Sequence, residues 1–554
     1  MYRKIVFIAV YVFFLLNGCK GCSRLPQGKS NFVDSENQEL ITHHIPDSVS
    51  ISQFLAKYPL YSVWRNVVLD FYSQRSNNYV WYDTIGLNER AYGLMNLLSS
   101  EGEHLYLDSI IYHNRLDSLY YSCYQQKCSY DSWDARKLEL ELLLTINFFE
   151  YASKKWKGIS DEDFKKTGWL ISRKQLDYKE LLEQNLKDKF DKCLANEPMF
   201  FQYNLLKIEL QKMKRISESD AWPNFPDSFP NLNLNESDSL LFLVRKALHL
   251  LGDLTAQNES LLFDEHLQGA IKKYQLRHGL FASGLMDKET FESLKTPIAE
   301  RVKTLLINME RCRWVPKIPE PNFIIVNIPE YKLHVHTNRS LDWSCNIVVG
   351  KGSTETVIFN HRIESVVFSP YWVVPHSIIT NEMLPMIKKN ISYLANHDLQ
   401  VVNFKGEVIN PYKLNWSKFH VDYFPYMIRQ RPGSKNSLGL VKFLFPNKYD
   451  IYLHDTPTKS LFEQQDRAFS HGCIRIQEPF KMAKYLLSDQ VMYTDEKINE
   501  LMNGGVETKV MLTQTIPIMI TYFTAWVDGE GKLQLRKDVY GHDNRMADIL
   551  FKNN

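Results

Sequence analysis

The 554-residue chain has almost no net charge: Lys plus Arg number 66 and Asp plus Glu 64, a formal balance of +2. A chain so balanced has no general basic field for nucleic acid and no acidic-tail character. It is also short of long apolar runs. Past the N-terminal segment none reaches the roughly 18 residues that span a bilayer, which excludes a multi-pass membrane protein. Cysteine is sparse, with eight in all. No C-x-x-C pair lies beside Cys123 and Cys128, so they make a poor start for a structural zinc site. What is present is globular. A composition of 44% hydrophobic, 23% charged and 13% aromatic residues provides for several cores and rules out a disordered or collagen-like chain. At 100–200 residues per domain the length predicts about three or four domains.

The N-terminus predicts export. Arg3 and Lys4 precede the apolar run Ile5 to Leu16, which is short for a membrane span and right for a signal h-region. The ending Leu16-Asn17-Gly18-Cys19 resembles a lipobox, where cleavage leaves a lipidated Cys19, with Asn17 an unusual occupant. An ordinary signal peptide or an uncleaved anchor is the alternative, and either way the chain is exported. With Cys19 carrying lipid, seven thiols (Cys22, Cys123, Cys128, Cys193, Cys312, Cys345, Cys473) face an oxidising compartment and one is left over. Cys123 and Cys128 are close enough to pair, but spacing alone does not show it.

By segments, 1–18 reads as the signal peptide and the polar 19–50 as a tether. Apolar residues at three- and four-residue spacing, as in Leu138 to Leu144 and Tyr178 to Cys193, predict a helical scaffold over 51–215. Residues 216–236, rich in Pro, Asn, Asp and Ser, read as a linker. A compact three-helix unit follows at 237–297. Ser237 is placed to cap a helix through Leu241, Val244, Leu248 and Leu251, the second carries Leu267, Ala270, Ile271 and Tyr274, and the third begins near Asp287. A connecting helix occupies 298–320. Short β-branched runs then set in: Phe323 to Ile328, Lys332 to His336, Cys345 to Val349, Ile363 to Phe368, Leu440 to Phe445 and Tyr449 to His454. They predict a β-rich domain over 321–515, interrupted at about 377–425 by a partly helical insertion. Residues 516–554 read as a C-terminal extension packed on the body. His43, His44 and His249 have no chemical context and read as surface residues.

The densest chemistry lies between 426 and 476: Arg429-Gln-Arg431-Pro-Gly433, Asn436-Ser-Leu-Gly439, Tyr452-Leu-His454-Asp-Thr-Pro457 and Ser470-His-Gly-Cys-Ile-Arg475. A single Cys beside Gly with two His nearby is what thiol nucleophilic chemistry needs. A free thiol is mostly protonated at neutral pH, and an adjacent imidazole makes the thiolate and stores the proton. Gly472 allows a tight turn and exposes backbone N–H groups that could hold an oxyanion. Arg475 follows Cys473 by two and Tyr452 precedes His454 by two, so on extended chain each pair shares a face. A zinc site from His454, His471 and Cys473 is the rival, weakened by the absence of an evident fourth ligand.

This segment resembles the active-site signature of L,D-transpeptidases. So do Phe323 to Asn327, Val348-Val-Gly350, Pro370-Tyr-Trp372 with Pro375, Thr521 to Trp526, and, in the helical block, Trp81-Tyr-Asp with Gly86-Leu87. Together they are similar to the large, scaffold-bearing branch of that family over roughly residues 60–550. Thr356-Val357 stands where Thr-Pro is usual, and Ser369 where Asn precedes the Pro. The string Ala270 to Leu280, followed by Ser283-Gly-Leu-Met-Asp287, resembles the small three-helix peptidoglycan-binding domain, with Tyr274 for the usual Phe and Ser283 where Asp is favoured. The expected fold class is α+β multidomain: helical scaffold, three-helix peptidoglycan-binding-like domain, and a β-sandwich-type catalytic domain with a lid.

The resemblance implies roles. Cys473 is the nucleophile and His454 its proton donor and acceptor. His471 supports the loop or the oxyanion site, Gly472 and Cys473 give oxyanion N–H groups, and Arg475 binds a carboxylate or developing charge. Tyr452, Arg431, Asn436 and Ser470 line the substrate. It implies a Cys acyl-enzyme with D-Ala leaving, resolved by the side-chain amine of another stem into a 3→3 cross-link. Acylation by carbapenems is implied as well, with no metal or organic cofactor. The implied partners are peptidoglycan stem peptides and, through the lipid anchor, a membrane of a diderm envelope. With water as acceptor the same site is an L,D-carboxypeptidase, and with a protein Lys it anchors proteins to the wall. A wall-binding protein with a dead site is the non-enzymatic alternative.

Overall fold

In the computed structural model, the residues described are 45–101, 113–126, 135–187, 190, 200–228, 232–256, 259–315 and 320–551. The signal segment, Cys19, Cys22, Cys128, Cys193 and most of the tether lie outside them. No helix among the described residues is long and apolar enough to cross a membrane.

The helical block starts inside the expected tether. Helix Ser48–Lys57 is capped by Asp47, whose carboxylate accepts from the Val49 and Ser50 N–H groups. The centre of the block is helix Ala135–Ala152, buried on nearly every face. Its Glu141 is fully buried and accepts from Val80 N (2.7 Å), Trp81 N (3.1 Å) and the Tyr72 hydroxyl (2.9 Å). Those bonds explain the Trp81-Tyr-Asp string: it is the segment whose backbone satisfies a core carboxylate. Helix Gln202–Glu218 packs along Ile298–Trp314, which is buried on both sides and joins the scaffold to the β region. Glu310 is the joint: it takes Ile159 N (2.7 Å) and Trp314 Nε1 (2.9 Å) and pairs with Arg313. Gly158, at φ +81°, passes so close that a Cβ would stand 1.9 Å from the Glu310 carboxylate. One apolar cluster runs from the scaffold helices into the β region.

The 237–297 unit has its own core of Leu241, Val244, Leu267, Ile271, Tyr274 and Phe291 among others. Its helices are Leu240–Leu250, Glu265–Arg277 and Lys288–Lys295. Ser237 does not cap the first. It bridges to Leu262, and Asp238 receives the Leu240 N–H instead. Both departures noted above are accommodated, since the Tyr274 hydroxyl bonds Ser293 Oγ (2.7 Å) and Ser283 Oγ receives Gln275 Nε2 and Leu285 N. His249 is half-buried rather than superficial, with Nδ1 3.1 Å from the Leu254 carbonyl.

The strands are β1 Phe323–Asn327, β2 Lys332–Thr337, β3 Ser340–Gly350, β4 Asn360–Phe368, β5 Trp372–Val373, β6 Leu399–Val402, β7 Val408–Ile409, β8 Met427–Gln430, β9 Val441–Leu444, β10 Leu453–His454, β11 Ala468–Ser470, β12 Ile474–Ile476, β13 Thr508–Thr521, β14 Ala525–Val527 and β15 Leu533–Leu535. Among the described residues nine of them form one sheet in the order β11-β3-β12-β10-β9-β4-β13-β1-β2. A further β2–β3 pairing closes it on itself, so the expected sandwich is a single wrapped sheet. Ile324, Val326, Leu333, Leu453 and Ile474 point into its core, all fully buried.

Two expected boundaries shift. β13 continues through residue 515 as one strand, parallel to β1 and antiparallel to β4, with a register shift against β4 between Met511 and Ile516. The chain after 516 therefore begins inside a central strand, not as an extension packed outside. The insertion is also wider and less helical than 377–425. Between β4 and β9 it builds its own four-stranded sheet, β5-β8-β6-β7, with short helical stretches from His376 to Asn396 and a separate apolar cluster around Ile379, Leu384, Val401 and Ile428.

Candidate active site

Strands β10 and β12 run parallel in adjacent register, Leu453 beside Ile474 and His454 beside Arg475. Leu453 and Ile474 point inward, so alternation turns Tyr452, His454, Cys473 and Arg475 to the outer face. Cys473 is half-buried and its Sγ donates to the Asp450 carbonyl at 3.4 Å. Burial pushes its thiol above the ordinary value; contacts from Tyr452 and the Arg475 charge work against that rise, and Asp450 adds to it. The Tyr452 hydroxyl is raised too, by burial first and then by the thiol beside it.

His454 is buried, and its Nδ1 lies 2.5 Å from the Asp455 carbonyl. A carbonyl only accepts, so Nδ1 carries the hydrogen and Nε2 keeps its lone pair. Burial, then the Arg475 guanidinium, push its pKa down to about 3, with Lys442 contributing despite the opposing Asp455 bond. The resting arrangement is thus a neutral thiol near a neutral imidazole. The thiol donates to Asp450, and both groups are shifted against charge. Arg475 is pushed down by burial, and its Nε is buried without a hydrogen-bond partner among the described residues.

The turn before the nucleophile is braced from within. Ser470 Oγ donates to the Cys473 carbonyl (2.6 Å) and accepts the Gly472 N–H (3.1 Å). Ser470 is therefore a buried brace rather than a substrate contact, and the Gly472 N–H is already engaged. Gly472 sits at φ +115°, a conformation that favours glycine. Thr356 Oγ1 donates to the Gly472 carbonyl (2.8 Å), and Thr354 Oγ1 to that of Ser470 (3.1 Å).

His471 is exposed and faces the insertion, with Nε2 2.7 Å from Glu382 Oε1. Arg431 stands at the foot of the insertion, paired with Asp398 at 3.1 Å, beside a cavity of about 370 Å³ that runs on to Asn436. Asn436 is buried. Its amide donates to the Pro370 (3.0 Å) and Arg431 (2.9 Å) carbonyls, and its oxygen takes Leu438 N (2.8 Å). That side chain is committed to the turn into β9, which corrects its expected place in the substrate site. Of the expected residues, then, Cys473, His454, Arg475 and Tyr452 share one face, His471 turns to the insertion, and Asn436 and Ser470 hold loops. Among the described residues no three His, Cys, Asp or Glu side chains are grouped to hold a metal.

Sequence reasoning missed Asp455, Asp450, Lys442 and Glu382. Asp455 orients His454 through its carbonyl, while its carboxylate takes Leu440 N (2.9 Å) and pairs with Lys459. Gly439 crosses over it at φ +61°, where a Cβ would stand 2.3 Å from that carboxylate. The His454-Asp455 adjacency and the glycine of N-S-L-G were visible signals. Glu382 has none, because its partner lies 89 residues away.

Fold and site together define a catalytic domain that presents a thiol and an imidazole on the outer face of a closed sheet. In that part the chain carries an L,D-transpeptidase-type catalytic domain. Residues 321–510 match the YkuD L,D-transpeptidase catalytic domain, and residues 66–210 match the Scaffold domain. A curated relative from Haemophilus influenzae, named "Putative L,D-transpeptidase", is 31% identical over 242 residues, 44% of this chain and 48% of the relative. The chain thus spans about half the length of the curated relative it matches. Among solved structures, an L,D-transpeptidase from Stackebrandtia nassauensis overlaps 53% of this chain and 97% of its own at 13% identity and TM-score 0.21. One from Mycobacterium smegmatis overlaps 36% and 58% at 12% identity and TM-score 0.19.

Proposed function

We propose that the protein is an exported cysteine L,D-transpeptidase that forms 3→3 cross-links between peptidoglycan stem peptides. The observation that carries this reading is the convergence of Cys473, His454 and Arg475 on one outer face, with the His454 lone pair on Nε2. As Sγ attacks the carbonyl before D-Ala, His454 Nε2 takes the thiol proton, so charge forms only along the reaction path. The Cys473 N–H serves the oxyanion, because that of Gly472 is held by Ser470. Arg475, with a donor to spare, meets a stem carboxylate or the developing charge. D-Ala leaves with the proton from His454, and an amine from a second stem resolves the thioester.

In this reading the insertion is a lid that orders the stems and limits water. The 237–297 unit is a wall-binding module, and a lipid on Cys19 holds the enzyme at a membrane of the envelope. The test is purified protein with tetrapeptide muropeptides, read by mass. Dimers with loss of D-Ala support the reading. Tripeptide alone makes the enzyme a carboxypeptidase, and unchanged substrate makes it a binding protein.

A further inference from the structure

Two carboxylates stand near the nucleophile, from different parts of the molecule. Asp450 belongs to the approach to β10, and its charge raises the Cys473 thiol. Glu382 belongs to the insertion, on the helical stretch Ile379–Met383, and reaches His471. His471 stands two residues before Cys473, so their Cα atoms are at most about 7.6 Å apart. The pair is open to water, with side-chain exposures of 39% and 53%. An exposed pair of polar side chains contributes little stability, so holding the fold is a weak reason for an acidic side chain at this place.

The chemistry of the second half-reaction supplies a stronger one. The acyl-enzyme is resolved by either of two nucleophiles, water or a stem amine, and the amine arrives as a cation. The strand side of the site is electropositive: Arg475 and Lys442 both act on His454 by charge. An approaching ammonium is repelled from that side, and water is not. A carboxylate on the opposite side offsets the repulsion for the amine alone, which is selection between acceptors by differential interaction.

We propose that Glu382 is the acceptor-selecting residue: presented by the insertion against His471, its carboxylate draws the cationic side-chain amine of the acceptor stem to the Cys473 thioester in preference to water. This rests on the transpeptidase reading. The step balances with solvent as the proton sink. The ammonium sheds one proton to water, and its nitrogen attacks the thioester carbonyl. As the C–N bond forms, the neutral His454 takes a second proton from that nitrogen, the C–S bond breaks, and the departing thiolate of Cys473 recovers that proton from His454.

The test uses the full chain, wild type and the variants Glu382→Gln, Glu382→Asp and Asp450→Asn, with tetrapeptide muropeptides. The readout is the ratio of cross-linked dimer to tripeptide, alongside the rate of acylation by a carbapenem. Glu382→Gln is expected to lower the ratio about tenfold while acylation stays within about twofold, because one favourable charge is lost from the acceptor side only. Glu382→Asp should retain an intermediate ratio. Hydroxylamine, uncharged at neutral pH, should resolve the thioester equally fast in wild type and Glu382→Gln. A wild-type ratio in Glu382→Gln, an equal loss with hydroxylamine, or a ratio that moves only in Asp450→Asn overturns the proposal while the transpeptidase reading stands. A wild type that makes no dimer overturns both.

Discussion

On one side of Cys473 stand β10 and β12, whose inward residues Leu453, Ile474 and Ile476 are fully buried in the cluster that continues into the scaffold helices. On the other side stands the insertion, with a core of its own and a water-exposed bond to the nucleophile's turn. Every group to which the proposed mechanism gives the proton or the developing charge is mounted on the first. The insertion can shift without opening the main core, so a site built this way can admit substrates without loosening its chemistry. The long cluster also gives the scaffold a purpose: it is continuous with the wall that holds His454, not a separate bead on the chain.

The largest effect expected is on the wall. Wild-type protein treated with a carbapenem should gain one adduct, on the peptide holding Cys473. Cys473→Ser should gain none with its melting temperature unchanged, since a hydroxyl is far harder to ionise than a thiol. Cys312 and Cys345 are buried and their thiols are raised, the latter to about 11, so an adduct on either would break the assignment. Next in size is His454→Ala, expected to slow acylation about 10²- to 10⁴-fold by stopped-flow fluorescence. Arg475→Ala should slow it less, because guidance is lost while nucleophile and base remain. Equal losses would mean that Arg475 carries as much of the activation as the imidazole.

The wall was largely legible in the sequence, and the reasons are local. Tyr452, His454, Cys473 and Arg475 fall at two-residue spacing, and period-two alternation alone puts each pair on one face. The unusual residues could be read only for their presence. Ser369 holds φ +45° with Oγ on the Leu501 and Met502 carbonyls, and Thr356 bonds the Gly472 carbonyl across 116 residues. The insertion was legible only as a change of texture. Its strands β5, β7 and β8 are two to four residues long and pair across distant chain, leaving too little periodicity to see. Asn436 and Ser470 were misplaced for a related cause: a polar side chain in a motif looks the same whether it faces substrate or closes a turn.

A pH series sharpens the contrast in a different way. With His454 pushed down to about 3, the base stays unprotonated from pH 8 to 5. Acylation should show no acid limb near 6.5, where an ordinary His would cut the rate about 30-fold by pH 5. The unfolded chain binds that proton between about 3 and 6.5 and the folded one does not, so this group's contribution to stability is full above 6.5 and falls with pH through the window. Scaffold Glu141 has the opposite sign. Burial raises it to about 7 despite the Val80, Tyr72 and Trp81 bonds, so the folded state holds a proton that the unfolded state releases above about 4.5. Its contribution is full below 4.5 and is lost as pH rises through about 7. Urea melts of Glu141→Gln should therefore show a flatter decline between pH 4.5 and 7, by up to about 1.4 kcal/mol per pH unit. An unchanged slope would mean that Glu141 is ionised in the folded protein.

The smallest effect belongs to the foot of the insertion. Arg431 pairs with Asp398 at 3.1 Å, with side-chain exposures of 54% and 41%, and its N–H donates to the Asp398 carbonyl at 3.1 Å. A pair this open to solvent contributes at most about 1 kcal/mol, and the backbone bond survives truncation of the side chain. Arg431→Ala should shift the melting temperature by at most about 1 °C for a chain of this size. If Arg431 is only a tie between the insertion strands, KM for tetrapeptide stays within about twofold of wild type. If instead the guanidinium leaves Asp398 to clamp a stem carboxylate, KM rises tenfold or more, the scale of a lost charge-assisted bidentate contact, with the melting temperature still nearly unmoved. A raised KM would move one substrate contact from the wall to the insertion, and the division of labour between the two sides would then separate proton transfer from binding rather than chemistry from access.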